Sequence, residues 1–169
     1  MNPCDQASLE SLAAALGELL RASGERLATA ESCTGGWVGQ CLTAVAGSSN
    51  WFERGFISYS NEAKIELLGV AADTLATHGA VSEATAAAMA MGALRHSHAD
   101  WALAITGVAG PGGGSPGKPV GTVCFAWVAR EGRVDTVTRH FRGDRRAIRA
   151  QAVAHALAGM LERAGQHLA

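Results

Sequence analysis

Aromatic residues are scarce in this chain, at 5% with a single tyrosine, and cysteines and prolines number only four each. Charge is thin as well: 17% of residues carry it, and acids and bases nearly cancel to a net −1. Each shortage excludes something. The cysteines, Cys4, Cys33, Cys41 and Cys124, form no C-x-x-C pair and are too few for a secreted disulfide scaffold, so they point to reduced thiols and the cytoplasm. A balanced charge offers no basic excess to a nucleic acid, and the one dense basic cluster is RGDRRAIR at 142–149. The longest uncharged apolar-rich run, ATAAAMAMGAL at 84–94, falls short of the roughly 20 residues that cross a bilayer. The N-terminal MNPCDQASLE carries acids and no apolar core, so neither a membrane partner nor a signal peptide is expected. What is present is 48% hydrophobic residues in a chain of 169, enough for one globular domain spanning residues 1–169.

Apolar residues at 9, 12, 13, 16, 19 and 20 keep the rhythm of an amphipathic helix over 8–20, closed by Gly24. RLATA at 26–30 reads as a strand, 35–47 as a helix in spite of its glycines, and Gly47–Ser48–Ser49–Asn50 as a break. FISYS at 56–60 predicts a second strand, NEAKIELLG a short helix, and the segment from Ser82 and Glu83 to Ala99 a long one. WALAIT at 101–106 predicts a buried strand that runs into VAGPGGGSPGKP, a loop almost without side-chain bulk. VGTVCFAWVAR and RVDTVTRHF, joined at Glu131–Gly132, predict a hairpin, and a last helix starts at Asp144. Alternating strands and helices ending in a hairpin predict an α/β layered domain with a mixed sheet.

Three stretches invite chemistry. In ATAESCTGGWVGQ at 28–40, Ser32 or Thr34 could cap the next helix, or Ser32 could be a nucleophile at a strand-to-helix corner. In the second case backbone N–H groups at the helix start would receive an oxyanion, and Gly35 and Gly36 would admit a substrate close to the backbone. Cys33 is a rival nucleophile if a helix end lowers its pKa, and otherwise a small buried residue. In SYSNEAK at 58–64, a cap at Asn61 would set Lys64 at the third helical position, where the positive helix end disfavours a cation and lowers its pKa. Such a lysine can act as a general base, with Tyr59 just before it as a relay; the plain alternative is a solvated lysine and a half-buried tyrosine. TGVAGPGGGSPGKPVG at 106–121 can turn its N–H groups toward an anion, although it is neither a Walker nor a dinucleotide fingerprint. Arg142, Arg145, Arg146 and Arg149 straddle the start of the last helix, where a phosphate could meet guanidinium groups and helix end together; the plain alternative is a solvated basic face. No histidine, cysteine or carboxylate set has metal-ligand spacing, and no cofactor is expected.

Taken together, TAESCTGGWVG, AGSSNWFERGFISYSNEAK, HGAVSE, TGVAGPGGGSPGKPVGTV and GDRRAIR resemble the CinA C-terminal domain family, in unbroken order over roughly residues 8–165. The resemblance implies a three-layer α/β/α single domain with a mixed, mostly parallel sheet. It also implies hydrolysis of the carboxamide of nicotinamide mononucleotide to nicotinate mononucleotide and ammonia, without a metal, in a homodimer. Carried over by position, it makes Ser32 the nucleophile, with Lys64 and Tyr59 as base and proton relay. Thr34, Gly35, Gly36, Ser48, Thr106, Gly107, Gly110, Gly112 and Arg145 would line the oxyanion and nucleotide sites. Gly117 departs from the acid that relatives often carry before Lys-Pro-Val-Gly. The molybdopterin-type domain of the larger family proteins is not expected here. A different class of reading keeps the same walls as a non-catalytic sensor of a phosphorylated nucleotide.

Overall fold

The computed structural model describes residues 3–167. Asp5 caps the first helix, α1 (Gln6–Ser23), by accepting the N–H of Ser8, and Gly24 ends it in the left-handed conformation that only glycine adopts freely. There follow β1 (Leu27–Glu31), α2 (Trp37–Thr43), a 3-10 turn at Ser48–Asn50, β2 (Phe52–Ile57), α3 (Asn61–Leu68), α4 (Ala72–His78) and α5 (Glu83–Arg95). The chain closes with β3 (Trp101–Gly107), the hairpin β4 (Thr122–Ala129) and β5 (Val134–His140), and α6 (Arg145–His167). No helix among the described residues is long and apolar enough to cross a membrane.

One five-stranded sheet, in the order β2-β1-β3-β4-β5, forms the middle layer. The β2-β1 and β1-β3 pairings are parallel and the β3-β4 and β4-β5 pairings antiparallel, so four of the five strands run the same way in a mixed sheet. Every residue of β1, β3 up to Thr106 and β4 is buried, as strands covered on both faces must be. The two faces differ. Leu27, Trp101, Leu103, Ile105, Phe125 and Trp127 join α1, α2 and α6 in one core, whereas Ala28, Ala30, Ala102, Ala104 and Ala126 meet Leu68 of α3 and Met89 and Ala93 of α5 in the other. Bulk on one side and alanine on the other give the three-layer α/β/α architecture.

Some boundaries depart from the sequence reading, for local reasons. Strand β2 starts at Phe52 rather than Phe56 because it is a half-exposed edge strand, and its Glu53 and Arg54 hide the alternation. It ends at Ile57 because Ser60 is needed to cap α3. Helix α2 occupies only Trp37–Thr43, since Gly35 and Gly36, at φ of 59° and 95°, make the turn that precedes it. Helix α4 buries no residue, so it leaves no apolar stripe to read. The parallel strands nevertheless do what the order demands: they bring the ends of β1, β2 and β3 to one edge of the sheet, where ligands of such sheets gather.

Candidate active site

Ser32 follows β1 directly, and its N–H prolongs the ladder to Ile105 O at 3.0 Å. The chain then turns through Thr34, Gly35 and Gly36 into α2, whose capping residue Gly36 has no side chain to offer. Neither Ser32 nor Thr34 fills that place. The carboxylate of Glu31, 1% exposed, does so: Oε2 accepts from Gly36 N and Val38 N at 3.1 Å each and from Thr34 Oγ1 at 2.6 Å, and Oε1 accepts from Gly39 N at 2.9 Å. One buried side chain thus satisfies the helix end, and the Ser32 hydroxyl stays available. From the far side of the corner Arg149 donates Nε to Cys33 O at 3.0 Å and Nη2 to Thr34 O at 2.9 Å.

Across the sheet edge, Ser60 caps α3 by accepting Ala63 N at 3.0 Å, which moves the cap one residue before Asn61 and sets Lys64 at the fourth helical position. The side chain turns inward and is 1% exposed. Its Nζ donates to Ser32 Oγ at 3.0 Å, to Ser58 O at 2.9 Å and to Tyr59 O at 3.4 Å, and no ion pair involves it among the described residues. Burial without a carboxylate pulls its pKa below the ordinary lysine range. The depressed basicity foreseen from the helix end therefore has another cause, desolvation. The same burial pushes the Cys33 thiol up to about 12, so this neighbour of Ser32 stays protonated.

Ser32 and Lys64 open into a cavity of about 290 Å³. Tyr59, Thr106, Gly107, Gly110, Gly112 and Arg145 also line it, as the sequence suggested, together with Cys33, Asn61 and Val81. Thr34, Gly35, Gly36 and Ser48 are not among its walls: the first three build the turn behind Ser32, and Ser48 opens the 3-10 turn before β2. The Tyr59 hydroxyl accepts from Arg145 Nη2 at 2.9 Å and not from Lys64, while Arg145 Nη1 donates to Gly110 O at 2.7 Å. Thr106 spends its hydroxyl on Ala80 O at 2.7 Å, which fixes the 80–81 segment at the rim. The N–H groups of Ala109, Gly110, Gly112 and Gly113 have no acceptor among the described residues, an arrangement suited to an anion. A larger hollow of about 630 Å³, lined by Gln6, Trp37 and Arg146, lies apart from the Ser32–Lys64 pair. Among the described residues no three His, Cys, Asp or Glu side chains converge as metal ligands.

Sequence reasoning missed Glu31 and gave Arg149 a phosphate instead of the corner. The available signal was an acid one residue before Ser32, ahead of a helix opened by two glycines with no capping side chain of its own.

The chain is similar to known proteins over most of its length. Over 149 residues, 88% of this chain and 90% of the relative, the sequence is 54% identical to the nicotinamide-nucleotide amidohydrolase PncC of Escherichia coli. It is 49% identical over 154 residues to the protein of the same name from Pseudomonas putida, covering 91% of this chain and 96% of that one. The crystal structure of competence/damage inducible protein CihA from Agrobacterium tumefaciens superposes with a TM-score of 0.89 at 47% identity, covering 94% of this chain and 96% of that chain. Residues 9–164, from the first helix through the Ser32 corner to the last, match the CinA C-terminal domain profile, and the chain belongs to that family.

Proposed function

We propose that this chain hydrolyses the carboxamide of nicotinamide mononucleotide to nicotinate mononucleotide and ammonia, feeding pyridine nucleotide salvage. The observation that carries the reading is the 3.0 Å contact between Lys64 Nζ and Ser32 Oγ in the wall of the cavity. About 50% identity to amidohydrolases of nicotinamide nucleotides supplies the substrate class.

A serine hydroxyl attacks an amide only if a base removes its proton, and a desolvated lysine is neutral often enough to do so. Lys64 takes the proton of Ser32, and Oγ forms a bond to the carboxamide carbon while its oxygen becomes an oxyanion. Collapse breaks the C–N bond, and the amine leaves as ammonia with the proton that Lys64 returns. Water then attacks the acyl-enzyme and Lys64 accepts its proton; the acyl–Oγ bond breaks, Lys64 returns the proton to Ser32 Oγ, and nicotinate mononucleotide departs. The pyridinium charge of the substrate draws electrons from the carbonyl and assists both attacks. In this reading Lys64 reaches Ser32 directly, and Tyr59 holds Arg145 at the rim while the unpaired N–H groups of the glycine loop receive the phosphate.

Ammonia release from nicotinamide mononucleotide by wild type, Ser32→Ala and Cys33→Ala tests the proposal. Turnover by wild type and Cys33→Ala, with Ser32→Ala silent, is the expected result. A silent wild type that the nucleotide still protects from thermal unfolding replaces the enzyme with a nucleotide sensor.

A further inference from the structure

The mechanism above leaves the oxyanion without a donor, because Glu31 already takes the N–H groups of Gly36, Val38 and Gly39 at the start of α2. Gly35 N is also taken, by Ser32 O at 3.0 Å. At the corner this leaves the N–H groups of Cys33 and Thr34, neither of which donates to an oxygen among the described residues. Thr34 is fully buried and Cys33 nearly so, and the one contact of the Cys33 N–H is with its own thiol, so neither has the oxygen acceptor that a buried N–H ordinarily finds.

Their direction is not left to the loop. In a trans peptide the C=O and the N–H point opposite ways, and the 33–34 peptide is trans. Arg149 holds Cys33 O at 3.0 Å, which turns the Thr34 N–H away from the guanidinium. Its second bond, to Thr34 O at 2.9 Å, fixes the next peptide in the same sense. Gly35 N on Ser32 O does the equivalent for the Cys33 N–H. Arg149 lies outside the cavity, whereas Ser32 and Cys33 line it.

We infer that Glu31 and Arg149 are positioning residues for the hydrolysis: Glu31 ties up the helix N–H groups, Arg149 fixes the corner carbonyls, and the N–H of Cys33, beside Ser32 in the cavity wall, is thereby held as an oxyanion donor. The inference rests on the deamidase reading for its substrate, but its geometry concerns only the Ser32 corner.

The test compares wild type with Arg149→Met, Arg149→Lys and Glu31→Gln in kcat and KM for nicotinamide mononucleotide, in thermal unfolding, and in the rate at which a fluorophosphonate labels Ser32. Misaligning an oxyanion donor costs on the order of 10²-fold in kcat, so Arg149→Met is expected to lose that much with KM held within about threefold. Arg149→Lys should fall between, since an ammonium cannot fork to two carbonyls. It also serves if Arg149→Met fails to fold. Glu31→Gln, whose amide NH₂ would face a backbone donor, should follow Arg149→Met. Variants that unfold earlier yet keep kcat would show a purely structural role and overturn the inference, and so would a rise confined to KM. If wild type releases no ammonia the substrate assignment fails by itself; labelling of Ser32 that slows in Arg149→Met then upholds the positioning role, and unchanged labelling removes it.

Discussion

Replacing Lys64 by methionine probes the base through stability as well as through rate. Three hydrogen bonds disappear, to Ser32 Oγ, Ser58 O and Tyr59 O. Ser58 is fully buried, and an acceptor stranded there costs about 1–3 kcal/mol. Against this stands the burial of an unpaired ammonium in the wild type, where each unit by which the pKa is depressed corresponds to about 1.4 kcal/mol. The two effects have different pH dependence. Below its lowered folded pKa, Lys64 is protonated in folded and unfolded chains alike, and the full desolvation cost is present. Between that pKa and the unfolded value, about 10.4, the unfolded chain binds the extra proton, so wild-type stability climbs by about 1.4 kcal/mol per pH unit while the methionine variant gains nothing from this site. Unfolding of both proteins from pH 6 to 10 should therefore show wild type gaining on Lys64→Met as pH rises. Ammonia release should meanwhile fall on the order of 10²- to 10⁴-fold in the variant. A stability difference that stays flat, or in which wild type loses ground to Lys64→Met toward alkaline pH, would refute the assignment of Lys64 as a desolvated base.

The same protonation should set the rate: kcat/KM is expected to rise with pH along a limb lying below the ordinary lysine value of about 10.4, and a pH-rate profile locates it. Because Cys33 is pushed up to about 12, iodoacetamide at pH 8 should leave turnover intact, and rapid inactivation would restore the thiol as a candidate nucleophile. Gly92 and Gly159 make a matched pair, since a Cβ at the first would collide with Leu68 O of α3 and at the second with the Trp127 ring. Each alanine substitution should cost about 1–3 kcal/mol in thermal unfolding. Only Gly92→Ala displaces the helix that carries Lys64, so only it should also lower kcat.

Much of the fold was written in local pattern. The rhythm of Leu9, Ala13, Leu16 and Leu20 marks α1, and the fully buried WALAIT and the hairpin are strands for the reason given by their composition. Ser32 and Lys64 were legible as oddities, a hydroxyl at a glycine corner and a cation in the first turn of a helix. Their contact was not, because it depends on β1 and β2 lying parallel side by side. Glu31 escaped notice because a side chain that caps a helix from five to eight residues upstream follows no short-range rule. Arg149 escaped for the opposite reason: it stands in a basic cluster that reads as solvent-facing or ligand-binding, and only the packing of α6 shows that it bonds to backbone carbonyls.

The unequal faces of the sheet give the two halves of the protein different ways of failing. On the side of Trp101, Phe125 and Trp127 a damaging substitution removes volume and leaves a void, which neighbouring side chains can partly fill. On the other side the strands themselves offer almost nothing to remove at Ala28, Ala30, Ala102, Ala104 and Ala126, and a variant at these positions errs by adding bulk that forces α3 and α5 outward. Random mutation should thus erode the first half gradually in stability, whereas in the second half enlarged residues should silence the protein abruptly, through displacement of α3 and Lys64, while much of the fold survives.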